Sequence, residues 1–283
     1  MKKRILNLGA GVQSTALYLM AMDGEIEPFD VAIFADTQEE PADVYQHLAW
    51  MESLGGPTIL KASAGSLGDC LLAGSDARGN MRRDGSHFSS IPAYVMDGDK
   101  KKGIGQRQCT KEFKVDVVER VIRRQIFGVE PGRPLPKDSV CVQLMGLSFD
   151  EPKRVIRVKQ RYSARPKQWL VEFPLFDLEM SRGDCVSYLK DRVPHKVPRS
   201  ACVFCPYKTN KEWLELKETD PVSWARAVQI DEGVRGDGSR GLNFLHRSYQ
   251  PLAVVDLRSE EEKSGQRSLF SNFNDECEGM CGV

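Results

Sequence analysis

The sequence predicts an α/β protein: a parallel sheet flanked by helices, with a helical and loop-rich C-terminal extension. Three observations carry this. Short apolar runs bounded by turn residues alternate with longer segments whose apolar residues recur at helical spacing, the texture of strand–helix–strand units. The first run passes directly into a glycine loop and a helix, "NLGAGVQSTAL". The second, "FDVAIFADT", ends on Asp36 and is again followed by a helical segment.

Taken in order, "RILNL" is the first strand, and "STALYLMAMDG" a helix with Ala16, Leu17, Leu19 and Met20 on its apolar face. "FDVAIFADT" is a buried strand, "EEPADVYQHLAWMESLGG" a helix with Pro41 near its first turn and glycines past its end, and "PTILKAS" a third strand. From about Leu67 to Gln108 the pattern dissolves into Gly, Asp, Arg and Lys, and an irregular segment is expected. A helix returns at "KEFKVDVVERVIRRQIF", and "SVCVQLMGLS" is a further buried strand. After Pro174 the texture is helical and loop-rich, and from about Ser259 polar, with a terminal island "NFNDECEGMCGV". Right-handed crossovers between such strands give a parallel sheet with ligands at the strand C-terminal ends.

The 283 residues carry 40 Lys and Arg against 40 Asp and Glu, so net charge gives no reason to invoke a polyanion, although basic segments such as "MRRDG" and "DKKKG" remain able to touch phosphates. No apolar run is long enough to span a membrane, and the start "MKKRILNLGAGV" is too short in apolar residues for a signal peptide. A cytoplasmic location without membrane contact is therefore expected. In a reducing compartment eight cysteines are ligands, nucleophiles or buried thiols rather than a disulfide framework.

The first loop fits two chemistries. Gly9, Gly11 and Asp36 meet the demand of a dinucleotide fold for G-x-G-x-x-G and an acidic residue on the next strand. Ser14 replaces the third glycine, however, and with Thr15 it offers hydroxyl and amide donors suited to another phosphate or pyrophosphate. A plain turn remains the third alternative.

The loop resembles the S-G-G-x-D-S phosphate loop of the PP-loop, or adenine nucleotide α-hydrolase-like, superfamily, with Gly9, Ala10, Gly11, Val12, Gln13 and Ser14 in register. Ala10 stands at the middle glycine, and Gln13 where ATP-using members carry Asp. "FADTQEEPADVYQHLAWM", "RQCTKEFKVDVVERVI", "LMGLSFDEPKR", "FPLFDL" and "SACVFCP" are similar, in order, to segments of phosphoadenosine phosphosulfate (PAPS) reductases. The likeness runs from about residue 4 to residue 257. It implies a Rossmann-like fold of the HUP/PP-loop type over residues 1–257, followed by a tail, 258–283. It also implies an adenine nucleotide: PAPS, its 3′-dephospho form APS, or ATP with Mg. The loop Gly9, Ala10, Gly11, Gln13, Ser14 and Thr15 would cradle phosphate or sulfate at the positive end of the first helix. Asp36 and Thr37 would bound the adenosine, Gly146 belongs to the G-x-S segment, and Lys111, Lys114 and Arg154 would neutralise phosphate charge. Read as plain residues, Asp36 is a helix or turn cap, and Lys114 and Arg154 belong to a solvated helix face.

Cys202 and Cys205, in "SACVFCPYKT", are spaced to clasp one metal centre, and Cys109 falls where the resembled reductases place cluster cysteines. A 4Fe-4S cluster on these three thiolates, converging beside the amino-terminal loop, is the expectation. The alternatives are zinc, with Cys185 or His195 as fourth ligand, and reduced core thiols. Cys70, Cys141 and Cys185 lie among apolar or helical neighbours and suit the core. In the tail, "ECEG" and "MCGV" each partly resemble the C-terminal Glu-Cys-Gly nucleophile of sulfonucleotide reductases, which makes Cys277 and Cys281 the catalytic candidates; a fourth cluster ligand, a redox pair and an incidental tail, whose acidic neighbours disfavour a thiolate, are the alternatives. His246 is a structural or orienting residue, and Trp213 and Trp224 suit helix packing. The resemblance implies thiol-dependent sulfonucleotide reduction with a reductant such as thioredoxin. An ATP-dependent iron-sulfur sulfurtransferase acting on tRNA or another nucleic acid is the alternative, then a non-catalytic nucleotide-binding protein with structural zinc. A Rossmann dehydrogenase is the outsider.

Overall fold

A computed structural model of the chain describes residues 1–81, 91–236 and 241–258. The chain divides into two compact units. The first comprises Met1–Asp36, Ala42–Ala62 and Val115–Ser200; the second takes Thr37–Pro41, the described residues of Ser63–Lys114, and those from Ala201 on.

The first unit is built on a five-stranded sheet of β1 (Lys2–Leu8), β2 (Val31–Asp36), β3 (Ile59–Ser63), β6 (Val140–Met145) and β7 (Trp169–Glu172), in the order β3-β2-β1-β6-β7. β1 pairs in parallel with β2 (Ile5 opposite Val31) and with β6 (Leu6 opposite Leu144). Every residue of β2 before Asp36 is buried, as a strand covered on both faces requires. Helices α1 (Val12–Met22), α2 (Ala42–Ser53), α4 (Asp116–Val121), α5 (Pro152–Ser163), α6 (Pro174–Asp177) and α7 (Arg182–Leu189) flank the sheet. Leu6, Leu17, Phe34, Leu48, Met51 and Val142 lie in its main core. The chain leaves β1 in one direction towards β2 and β3 and later returns on the other side as β6 and β7. The strand C-termini on either side of that reversal are where ligands bind in open α/β sheets, and the glycine loop opens there.

Strands and helices expected from residue 4 to residue 63 are present within a few positions. Pro41 stands immediately before α2, where its missing N–H costs nothing. The expected helix at "KEFKVDVVERVIRRQIF" is helical but not uniform: Thr110–Val115 and Ile122–Ile126 are π-helical, with α4 between them.

The second unit carries what composition hid. Within Leu67–Gln108, expected to be irregular, the chain forms α3 (Leu67–Ala73) and a hairpin of β4 (Tyr94–Asp97) and β5 (Lys100–Ile104). Ser66 Oγ caps α3 by accepting from Asp69 N, and Gly74, at φ +69°, ends it. β8 (Leu242–Phe244) completes a three-stranded antiparallel sheet, β5-β4-β8. α8 (Asn210–Thr219) and α9 (Pro221–Gly233) pack through Trp213 and Trp224, rings edge-on at 6.3 Å. Leu67, Phe113, Phe204, Trp213, Ile230 and Leu245 form this unit's core. Its smallest piece, Thr37–Pro41, is stitched to the others by Leu67 N donating to Thr37 O (3.0 Å) and Val203 N to Glu39 O (2.7 Å).

Candidate functional sites

Each unit presents one candidate site. In the first, β1 runs into Gly9–Gly11 and α1 begins at Val12, so the first-turn amides of α1 face the strand ends. Ala10 is fully buried at φ +57°, in the left-handed region that glycine occupies without strain. Ser14 Oγ donates to Gly11 O (3.1 Å) and accepts from Gly11 N (3.3 Å), closing the loop on itself. Gly146 follows β6, and a Cβ there would stand 3.1 Å from Ser14 N and 3.3 Å from Ser14 Cα. A side chain at 146 would press on the loop.

Gln13 is held on both ends of its amide. Its Nε2 donates to Ser148 Oγ (3.2 Å) and Glu151 Oε2 (3.1 Å), and its Oε1 accepts from Arg182 Nη1 (2.9 Å). Arg154 pairs with Glu151, so that cation already has a carboxylate partner. Asp36, at the end of β2, accepts from Tyr45 Oη at 2.9 Å.

Thr15 is fully buried, and its hydroxyl lies 2.8 Å from His47 Nε2. His47 Nδ1 in turn lies 2.9 Å from Nε2 of the exposed His195, and Trp50 stacks on His47 at 5.4 Å. Burial, and then the neighbouring His195, push the His47 pKa down to about 4. Sequence reasoning missed this chain of groups, since two histidines nearly 150 positions apart leave no local pattern. His195, the alternative fourth ligand for zinc, is engaged with His47. Cys185 is buried in the unit's core, its thiol pushed up to about 12, chiefly by burial.

In the second unit Cys109, Cys202 and Cys205 line one cavity of about 40 Å³, with Thr37, Arg107 and Lys114 also on its wall. Cys205 N donates to Cys202 O at 2.9 Å, the tight turn that presents both thiols of the C-x-x-C-P segment together. Thr37 Oγ1 lies 3.2 Å from Cys202 Sγ. The residue Cys202 is half-buried, but burial of its thiol pushes the pKa up to about 12; Glu40 adds to the rise, and Lys114 and the Thr37 hydrogen bond oppose it. Lys114 Nζ pairs with the fully buried Glu40 carboxylate at 3.1 Å, whereas Lys111 is exposed. Among the described residues no group of three or more His, Cys, Asp or Glu is set to hold a single metal ion. Cys277 and Cys281, with the tail, lie outside the described residues.

Of the remaining expectations, Cys141 is buried with its thiol raised to about 12, chiefly by burial, and Cys70 packs against the second core. His246 is buried between Ser248 Oγ (2.7 Å) and Asn210 Oδ1 (3.1 Å). No described helix is long and apolar enough to cross a membrane.

Comparison with protein-family models, curated proteins and solved structures finds no match to the chain. The class is therefore defined by the fold: an α/β protein with an all-parallel five-stranded central sheet flanked by helices, consistent with a Rossmann-like architecture.

Proposed function

We propose that this chain is a PAPS-reductase-like PP-loop enzyme of sulfur metabolism, working in a reducing, cytoplasmic setting. The observation that carries the reading is the meeting of Cys109 with the Cys202–Cys205 pair, remote from it in sequence, at one cavity that Arg107 and Lys114 also line. The loop Gly9–Thr15 would take the anionic groups of an adenine sulfonucleotide, PAPS or APS, on the first-turn amides of α1. A thiolate of Cys277 or Cys281 would attack the sulfonate sulfur. An S–S bond forms, the S–O bond to phosphate breaks, and the nucleotide leaves with that electron pair. The other tail thiolate would displace sulfite and form a disulfide, which an external dithiol of the thioredoxin class reduces.

The donor set fits an iron-sulfur cluster. Three soft thiols spread around a cavity suit a group in which each cysteine takes a different iron. A 4Fe-4S cluster held by Cys109, Cys202 and Cys205 would supply positive charge density at that cavity. Gln13, an uncharged amide tied to Ser148, Glu151 and Arg182, supports a nucleotide attacked at sulfur over one whose pyrophosphate is cleaved with Mg. The second reading, an ATP-dependent sulfurtransferase acting on nucleic acid, draws support from the basic helix α5, which carries no acidic residue.

Anaerobically purified protein should contain iron and acid-labile sulfide and should release sulfite from PAPS or APS with a dithiol reductant. Replacing both Cys277 and Cys281 with Ser should abolish sulfite release and leave nucleotide binding intact. Zinc without iron or sulfide, together with no sulfite, would overturn the proposal in favour of a non-catalytic nucleotide-binding protein. Thiolated nucleosides after incubation with ATP and bulk tRNA would favour the sulfurtransferase.

A further inference from the structure

Helix α5 of the first unit, "PKRVIRVKQRYS", carries five Lys and Arg and no acid in 12 residues, in a chain whose formal net charge is zero. Lys153, Arg157 and Arg161 recur every four residues and are all exposed, so they form one stripe along the helix with Cα atoms about 6 Å apart in rise. Unlike Arg154 and Arg165, which pair with Glu151 and Glu119, these three make no ion pair with a described residue.

The stripe works against the helix that bears it. Like charges four residues apart repel, and the first turn holds no acidic residue while Lys153 faces the positive end of the helix dipole. Folding therefore gives no reason for the pattern, whereas a row of phosphates does. The apolar side of α5 is already committed: Val155 and Val158 are buried with Met145, Leu147 and Phe173. A helix so anchored cannot lay its apolar face in a lipid surface, and what it offers outward is cationic. At the N-terminal end Phe149 is 45% exposed, its ring 5.3 Å from that of Phe176, a surface on which a base can stack. The same end meets the glycine loop through the bond from Gln13 to Glu151.

We infer that the exposed face of α5 is a docking surface for a nucleic-acid phosphate backbone, with Lys153, Arg157 and Arg161 as its phosphate contacts. This goes beyond sulfonucleotide reduction, and sulfite release is not a readout of it.

The test is fluorescence anisotropy of the full chain with labelled single-stranded RNA and duplex DNA between about 50 and 200 mM salt. The wild type should bind, with affinity falling steeply with salt. Lys153→Ala/Arg157→Ala/Arg161→Ala should lose at least about tenfold at the low-salt end. Its log–log salt dependence should be shallower by about 2 to 3, since each lost phosphate contact removes roughly 0.7 to 0.9. Relief of the repulsion should leave its melting temperature unchanged or raised; if alanine lowers it, the corresponding glutamine triple takes its place. A control of equal charge at exposed positions away from α5, Lys137→Ala/Lys190→Ala/Lys217→Ala, should retain binding. Equal loss in that control, no binding by the wild type, or binding to phosphatidylserine vesicles but not to nucleic acid would overturn the inference.

Discussion

His47 has no room for its charge. It is fully buried between Thr15, Trp50 and His195, and its pKa falls from the ordinary 6.5 to about 4 because burial and the second imidazole both oppose protonation. Between those two values the unfolded chain binds a proton that the folded chain does not, so stability falls as pH falls through that window. The loss approaches about 3 kcal/mol once the pH is below the folded value. His47→Gln should remove this slope. Urea unfolding at about pH 4.5 and about pH 7 should show a smaller difference for the variant than for the wild type, and equal differences would refute the assignment. Ala10 makes a related point at single-residue scale. In sequence it departs from the resembled loop, yet the fold holds it in the glycine-favouring conformation all the same.

At the scale of elements, what the sequence made legible was whatever buried an apolar face in a regular period. β1, β2, α1 and α2 stand where alternating apolar runs and turn residues put them. β5, "KKKGI", did not show itself because four of its five residues are exposed and nothing alternates. Its hairpin did leave one signal, the two residues Gly98 and Asp99 between paired Asp97 and Lys100, with Gly98 at φ +55°. The contact between β6 and α1 was legible only in part: the sequence marked Gly146 without revealing that it touches Ser14. Gly146→Ala would place a methyl 3.1 Å from the Ser14 amide nitrogen, against backbone that cannot swing aside. The expected cost is about 1 to 3 kcal/mol of stability, with weaker adenine-nucleotide binding because the loop must shift. Thermal melting and nucleotide titration of the variant check both, and an unshifted melt with unchanged binding would show the loop to be free of that contact.

At the scale of the whole chain, the second unit was hidden because it is assembled from separated pieces, and no window of sequence contains its core. The meeting of the three thiols was expected from the resemblance; the wall of the cavity they share was not legible, because it depends on how Thr37–Pro41 is threaded among the other pieces. Glu39 does the threading. Its buried carboxylate accepts from Ser66 Oγ (2.7 Å), Gly68 N (3.1 Å) and Arg226, at 2.7 Å from Nη2 and 3.2 Å from Nε, and its own carbonyl receives Val203 N beside Cys202. Glu39→Ala would strand these donors and cost about 3 kcal/mol, as breaking a buried ion pair does. If that cost falls on opening of the second unit, the cavity thiols should react with an aromatic disulfide on the order of a hundredfold faster. Cys141 and Cys185, buried in the first unit, serve as internal controls and should keep their slow rates. Glu39→Gln retains one acceptor oxygen and should fall between the two. Unchanged labelling of Cys109, Cys202 and Cys205 in Glu39→Ala, followed by mass spectrometry of the modified peptides, would show that this carboxylate does not hold the thiol cavity closed.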